Sequence, residues 1–321
     1  MLIKSNYASA FCIVSVLLFS SVPASSQDSI VNFEKKVITL KEVVVRSHLD
    51  VPSFVRRVQL DTSFYKAFRN LKVLGYTSLN DVRMLDKNGA EEAVLQSRTR
   101  QTIKDTCRSM EVLEEKKVGD VLDRNGNWNY YTLEMYAGLM FANGLVCGEN
   151  NIVKDADIET KNKSGIAKHK EQLKMLFFNP GKKIPGIPFI GNKIAIFDED
   201  VAKRYDFIID METYQGGNCY VFRIKKRDDL TRSEKNDIVI NEMTTWFNQE
   251  TMEIVARNYD LSYDAGLYDF DVHMEVQLQH FGEYLVPALI RYNGNWHVTF
   301  KKRERGVFTA TLFDFNKPDG D

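Results

Sequence analysis

Residues 270–279 read FDVHMEVQLQ, a stretch in which apolar and polar side chains alternate without a break. The apolar set is Phe270, Val272, Met274, Val276 and Leu278, and the polar set is Asp271, His273, Glu275, Gln277 and Gln279. Successive side chains of a β-strand point to opposite faces of the sheet, so this pattern gives one apolar and one wet face. The stretch therefore predicts an antiparallel strand that buries one face against a core.

The same reading extends over the last third of the chain, where eight strands are predicted with short connections. They cover residues 204–214, 218–227, 237–248, 251–263, 269–281, 283–292, 295–304 and 306–315. One connection is Asn293-Gly294, a strong hairpin signal. Consecutive strands with short links form an antiparallel meander, which must curl to cover its edges and its apolar face.

Helical and strand patterns alternate in the region before this meander. Apolar residues recur at helical spacing over 52–70, strands are predicted over 73–86 and 91–117, and 130–143 is apolar on almost every side. A short helix over 166–177 is expected to stop at Asn179-Pro180-Gly181. We expect an α+β fold, a curved antiparallel sheet (half barrel) wrapped on two or three helices, forming a single domain over residues 51–317.

The amino-terminal residues have the order of an export signal. Lys4 precedes an apolar run over residues 10–19, and small residues follow at Ala24 and Ser26. A run of about ten residues is too short to span a bilayer, so residues 1–26 are predicted to be a cleaved signal peptide. The mature protein is then periplasmic or secreted, with no transmembrane span. Residues 27–50 follow as an arm, with a β-rich segment over 37–45 that docks as an edge strand or packs as an extended arm.

Composition and charge exclude several classes of protein. The chain has 44% hydrophobic, 12% aromatic and 27% charged residues, which is typical of a globular protein and not of a disordered one. Its 43 basic and 44 acidic residues give a net charge of −1. A protein without excess positive charge lacks the field that collects phosphates, so we expect no nucleic-acid partner.

Three cysteines remain after removal of the predicted signal peptide: Cys107, Cys147 and Cys219. An oxidising compartment permits disulfides, and an odd count leaves one thiol unpaired. Cys219 lies in an alternating apolar run, where a buried structural cysteine is the simpler interpretation. We therefore predict a disulfide between Cys107 and Cys147.

The sequence has no zinc-protease spacing of histidines and no Gly-x-Ser-x-Gly nucleophile elbow. Gly181, Gly186 and Gly191 lack the Lys and Ser/Thr of a phosphate loop, and the calcium-like spacing that begins at Asp123 has Trp128 where that loop requires glycine. A plain turn explains the spacing at Asp123 better than a calcium loop does. We expect no metal and no cofactor. His273 and Glu275 share the polar face of one strand, where cross-strand pairing is the simpler explanation, although an acid/base pair stays open.

The remaining signal is apolar and aromatic. Large side chains in the predicted meander and helix either fill a core or line a hollow that holds an acyl chain, covered by the helix 132–143 or the loop 180–191. The candidate ligand-binding residues are Trp246, Phe270, Met274, Trp296, Phe300, Tyr136 and Met140.

Two segments resemble known families. The stretch MTTWFNQETMEIV over residues 243–255, followed by Val286-Pro287 and Tyr292-Asn293-Gly294, resembles the outer-membrane-lipoprotein carrier family over about residues 200–315. That resemblance implies a half barrel with a helical lid that binds lipid tails. Residues 38–45, ITLKEVVV, look like the segment that follows carboxypeptidase-regulatory-like domains in secreted and outer-membrane proteins of Gram-negative bacteria.

Three functional hypotheses follow, in order of preference. The first is a soluble exported protein of the Gram-negative envelope that binds a lipid, an acyl chain or a lipoprotein without catalysis. The second is a scaffold of an outer-membrane complex, whose arm 37–45 adds a strand to an outer-membrane protein partner. The third is a hydrolase that uses His273 and Glu275.

Overall fold

The computed structural model of the chain describes residues 28–34, 36–41, 44–45, 47, 49–153, 175–184, 190–266, 268–298 and 301–318. The predicted signal peptide, most of the predicted helix 166–177, part of the loop 180–191 and Phe300 lie outside these residues. Residues 175–178 are helical, and all but residue 178 lie within the predicted helix.

The architecture is a large open sheet of 13 strands with a few short helices, which confirms the predicted α+β class with a curved sheet. The strands are β1 (Ser29–Phe33), β2 (Lys36–Leu40), β3 (Gly75–Leu85), β4 (Glu91–Lys104), β5 (Cys107–Gly119), β6 (Val146–Cys147), β7 (Tyr205–Tyr214), β8 (Gly217–Lys226), β9 (Ile240–Asn248), β10 (Ile254–Asp264), β11 (Tyr268–Phe281), β12 (Tyr284–Val298) and β13 (Glu304–Asn316). The helices are α1 (Val51–Leu60), α2 (Ser63–Asn70), α3 (Tyr131–Met140), α4 (Glu199–Ala202) and α5 (Arg232–Lys235).

The strand order is β1-β2-β7-β8-β9-β10-β11-β12-β13-β3-β4-β5-β6. Neighbours are antiparallel except β2 and β7, which pair in parallel. The carboxyl-terminal meander β7–β13 thus sits between the arm on one side and β3–β6 on the other. β13 pairs with β3 over Arg305–Asn316, so the last strand of the chain lies beside the first strand after α1 and α2 in the interior of the sheet.

The core lies on one face of the sheet, here called the inner face, against which the longer helices pack. Phe54 of α1 contacts the rings of Phe222 and Phe247, and Phe64 of α2 contacts the ring of Tyr259. In β11 the alternation is as predicted, because Phe270, Val272, Met274, Val276 and Leu278 are all buried. The outer face carries the polar side chains of the same strands.

Two predicted elements are each divided in the structure. The helix expected over 52–70 is broken between α1 and α2, because Asp61 is extended at ψ 130° and its carboxylate accepts the N–H of Ser63. The strand expected over 91–117 turns back at Asp105, whose φ of 53° lies in the left-handed region. The hairpin β4–β5 results.

The opposite error occurs at Asn293-Gly294, where the predicted hairpin is wrong. The strand expected over 283–292 and residues 295–298 of the strand expected over 295–304 belong to one strand, β12, and Gly294 pairs with Val272 on one side and Gly306 on the other. A Cβ on Gly294 would lie 1.9 Å from the hydroxyl oxygen of Tyr292. The position therefore requires glycine because the Tyr292 ring covers it, and no turn is involved.

Candidate functional site

Trp246 does not lie with the other predicted ligand-binding residues. Phe247 of β9 is buried on the inner face, so the adjacent Trp246 points outward. There its ring stacks on the ring of Tyr214, with centroids 5.1 Å apart. Its indole N–H donates to Glu212 at 3.2 Å. This tryptophan is part of the outer surface of the sheet.

Phe270 and Met274 lie on the inner face, but protein covers them. Phe177, in the helical residues 175–178, lies over Phe270 with ring centroids 6.4 Å apart. The Tyr259 hydroxyl is 3.2 Å from the sulfur of Met274 and donates to the backbone carbonyl of Phe177. This part of the inner face is filled.

Trp296, Tyr136 and Met140 form the contact between α3 and the sheet. The Trp296 indole N–H donates to the Thr132 hydroxyl at 2.9 Å, and the Tyr136 hydroxyl donates to Asn80 Oδ1 at 2.6 Å. Burial raises the pKa of Tyr136 well above its ordinary value, so its hydroxyl stays a neutral donor. These three residues hold the helix in place.

An open cleft lies on the other flank of α3, between the helix and the inner face of β4 and β5. Its volume is about 720 Å³, within the range of about 300–1,000 Å³ that small-ligand sites occupy. We call it the α3 cleft. It is lined by Ser97, Thr99, Met110, Val112, Glu115, Lys117, Leu122, Gly126, Trp128, Tyr131, Glu134, Met135, Ala137, Gly138, Phe141, Ala142 and Asn143.

The α3 cleft combines apolar walls with a polar floor. Val112 is 54% exposed, and Met110, Trp128 and Phe141 are all partly exposed. The polar lining includes Thr99, whose hydroxyl lies 2.8 Å from that of the buried Ser78, and an ion pair between Glu115 and Lys117 with an N–O distance of 2.7 Å. Exposed apolar area beside a few polar groups suits a molecule with an apolar body and a polar end.

The predicted cover helix is anchored at both ends. The Glu304 carboxylate accepts the backbone N–H groups of Tyr131 and Thr132 at 2.7 and 2.9 Å. At the other end, the Tyr76 hydroxyl donates to the Met140 carbonyl at 3.2 Å. These contacts attach α3 to β13 and β3, and the helix forms one wall of the cleft.

A disulfide fixes the segment that follows α3. Cys107 and Cys147 are bonded with an S–S distance of 2.03 Å, which joins β5 to β6, and Arg108 pairs with Glu149 beside them. Cys219 is a free, buried cysteine, and burial raises the pKa of its thiol. Cys219 therefore stays protonated and unreactive.

The histidine considered for hydrolysis has both ring nitrogens occupied. His273 Nδ1 lies 2.7 Å from Asp260 and Nε2 lies 3.3 Å from Glu275, which also pairs with Arg291 at 3.1 Å. Partial burial lowers the pKa of His273, but the hydrogen bonds to the two carboxylates outweigh it and raise the pKa. Because both ring nitrogens face carboxylates of the protein itself, neither is free to accept a proton from a substrate, and His273 is a poor general base.

The calcium-like spacing that begins at Asp123 also has a structural explanation. The Asp123 carboxylate accepts the N–H groups of Asn125 and Asn127, both at 2.8 Å, so the calcium-like spacing is a turn. Within the described ranges, no group of three His, Cys, Asp or Glu residues could hold a metal ion. Helices long and apolar enough to cross a bilayer are also absent from the described part of the chain.

The amino-terminal arm belongs to the sheet. Ile38, Thr39 and Leu40 pair in parallel with Phe207–Ile209 of β7, while the other edge of β2 pairs with β1. Both edges of β2 are therefore occupied over Ile38–Leu40, and β1 is the edge strand on this side of the sheet.

Comparison with known proteins gives fold likenesses of low score. No protein-family model matches the chain, and no curated protein does. Among solved structures, a DUF1329 family protein from Desulfovibrio piger has 12% identity and a TM-score of 0.26, covering 84% of this chain and 91% of that one. A putative outer membrane lipoprotein-sorting protein domain from Vibrio parahaemolyticus has 10% identity and a TM-score of 0.26, and the match covers 80% of this chain and 92% of that one.

A third likeness is to lipovitellin, with 8% identity and a TM-score of 0.22, covering 78% of this chain and 26% of that chain. The Vibrio domain is of the same class as the family resemblance drawn from the sequence. TM-scores this low give the likenesses no weight in the argument for function.

Proposed function

We propose that this protein is a soluble exported protein of the Gram-negative envelope that binds an acyl chain, from a lipid or a lipoprotein, in the α3 cleft and without catalysis. The observation that carries the proposal is the open apolar wall formed by Met110, Val112, Trp128 and Phe141 beside α3. The proposed ligand lies on the flank of α3 away from Trp296, Tyr136 and Met140, which are buried.

The energetics of the cleft suit a hydrocarbon ligand. Each buried methylene contributes about 0.8 kcal/mol, so about ten methylenes give about 8 kcal/mol before the cost of immobilising the ligand. The Glu115–Lys117 pair and the Ser97 and Thr99 side chains offer hydrogen bonds to a polar end group. Binding of this kind needs no reactive group.

Native mass spectrometry of the mature protein after gentle purification tests the proposal. We expect a co-purified species of lipid mass, and saturable uptake of a fluorescent fatty acid by the protein once that lipid has been extracted. The absence of both a bound lipid and any uptake would contradict the proposal.

A further inference from the structure

A buried arginine lies on the inner face of β10, well away from the α3 cleft. Arg257 is 6% exposed, its Nε donates to the Thr245 hydroxyl at 2.9 Å, and its guanidinium lies 4.4 Å from the centre of the Phe64 ring. Its two terminal amino groups donate to no residue that the structure describes. Among those residues it also has no carboxylate within ion-pair distance.

A second cation reaches the same place from another segment. The chain turns at Gly181, with φ of 86°, and the next residue, Lys182, donates from Nζ to the backbone carbonyl of Gln59. Gln59 is in the last turn of α1, and Phe64 is in the first turn of α2. Both cations therefore lie at the junction of α1 and α2, and Lys182 forms no ion pair with a described residue.

The charges at this junction do not balance. Burial lowers the pKa of Lys182, the Arg257 charge lowers it further, and Asp61 opposes both. The Asp61 carboxylate already accepts hydrogen bonds from the Ser63 N–H and hydroxyl at 2.9–3.1 Å. Among the residues that the structure describes, two cations and one carboxylate leave one positive charge in excess at this junction, whereas buried charges in proteins are normally paired.

We propose that Arg257 and Lys182 form a binding site for a small oxyanion, a carboxylate or a phosphate group, at the α1–α2 junction. A guanidinium with free terminal N–H groups suits the planar or tetrahedral oxygens of such a group, and the ammonium adds a second donor. Lys182 is partly exposed and marks the side from which the anion enters. The oxyanion is either a free ion or the head of an amphiphile.

Thermal unfolding of the full mature protein tests this site. The probes are sodium phosphate and sodium acetate, titrated against sodium chloride at equal ionic strength, and the variants are Lys182→Met, Lys183→Met and Arg257→Met. Lys183 is the matched control because it is the adjacent lysine and is exposed. We expect a saturable rise in Tm for the wild type and for Lys183→Met.

Loss of one charge-assisted hydrogen bond weakens affinity about tenfold or more. Lys182→Met should therefore need an at least tenfold higher anion concentration for the half-maximal rise in Tm. The Tm of Arg257→Met should not rise with added oxyanion. Without added oxyanion, Arg257→Met should be at least as stable as the wild type, because an unneutralised buried charge is removed. Should Arg257→Met fail to fold, the comparison of Lys182→Met with Lys183→Met decides.

The proposal is overturned if the wild type shows no saturable rise beyond that in chloride, or if Lys182→Met and Lys183→Met respond alike. Dodecyl phosphate then distinguishes the two sources of the oxyanion. Binding that depends on Lys182 and is more than tenfold tighter than for inorganic phosphate supports the site and assigns it to an amphiphile head. Equal affinities support the site and assign it to a free ion.

Discussion

The Glu304 carboxylate accepts two hydrogen bonds from Thr132, one from the Thr132 backbone N–H at 2.9 Å and one from the Thr132 side-chain hydroxyl at 2.8 Å. A residue of β13 thereby supplies the amino-terminal cap of a helix that lies more than 160 residues earlier in the chain. The negative charge also meets the positive end of the helix dipole. Because Thr132 in turn accepts from the Trp296 indole at 2.9 Å, the helix, the cap and the sheet form one connected unit.

Replacing Glu304 with alanine should therefore loosen α3. We expect a loss of about 1–2 kcal/mol in the free energy of unfolding, the usual cost of removing a helix cap. Urea denaturation followed by tryptophan fluorescence measures it. Glu304→Gln keeps one acceptor oxygen, so its free energy of unfolding should lie between those of the wild type and Glu304→Ala. A Glu304→Ala variant as stable as the wild type would show that the cap has no role.

Reduction of the Cys107–Cys147 bond should destabilise the protein. The bond closes a loop of 40 residues, and constraining such a loop in the unfolded chain typically contributes about 2–4 kcal/mol. Tm should fall when both cysteines are replaced by serine. Thiol titration of the denatured, unreduced mature protein should find one thiol, from Cys219, and a count of three would contradict the bond.

His273 should make stability depend on pH near neutrality. Because its pKa is raised in the folded state, its stabilising contribution is complete below about pH 6.5 and is lost as pH rises through the folded-state value. The half-exposed pair should contribute about 0.2–1 kcal/mol. Unfolding free energies measured between pH 5.5 and 8.5 should decline in the wild type and decline less in His273→Gln; equal slopes would contradict the assignment.

Gly294 should not tolerate a side chain. A Cβ there would lie 1.9 Å from the Tyr292 hydroxyl oxygen and 2.1 Å from its Cζ, so Gly294→Ala must displace a buried ring, at a cost of about 1–3 kcal/mol. Gly282 is the matched control for differential scanning calorimetry, since it lies in the open turn between β11 and β12. Its φ of 57° gives Gly282→Ala a local backbone cost, but no side chain has to move.

The sequence predicts the strands well where apolar and polar residues alternate strictly, as in β11. It predicts them wrongly where the same residue type can serve two structural roles. Glycine after asparagine usually marks a hairpin, but at Gly294 it makes room for a ring two residues away. Trp246 and Phe247 are adjacent and cannot both face inward. Their orientation depends on the register with β8 and β10, which the local sequence does not determine.

The α3 cleft was not predicted for a related reason. Tyr136 and Met140 are buried residues of α3 that pack against the sheet, whereas Met135 and Phe141 of the same segment line the cleft. The difference arises from contacts of α3 with Asn80 and Glu304, far away in the chain. The apolar character of residues 130–143 on every side was the available signal that both flanks have partners.

Two valines of β5 allow the most direct test of acyl-chain binding in the α3 cleft. Val112 lines the cleft and is 54% exposed, whereas Val118, on the same strand, is 50% exposed on the outer face. Aspartate at either position adds the same charge, and its short side chain cannot reach away from an apolar wall to water. A neutral fluorescent monoacylglycerol analogue avoids repulsion between its head group and the new carboxylate.

The decisive measurement is the affinity of this analogue for the wild type, Val112→Asp and Val118→Asp. Binding in the α3 cleft predicts that Val112→Asp weakens affinity at least about tenfold, because a charge must be desolvated beside the acyl chain. Val118→Asp should stay within about twofold of the wild type, a change of less than about 0.5 kcal/mol. Equal affinities for the two variants, or no binding by the wild type, would contradict the account.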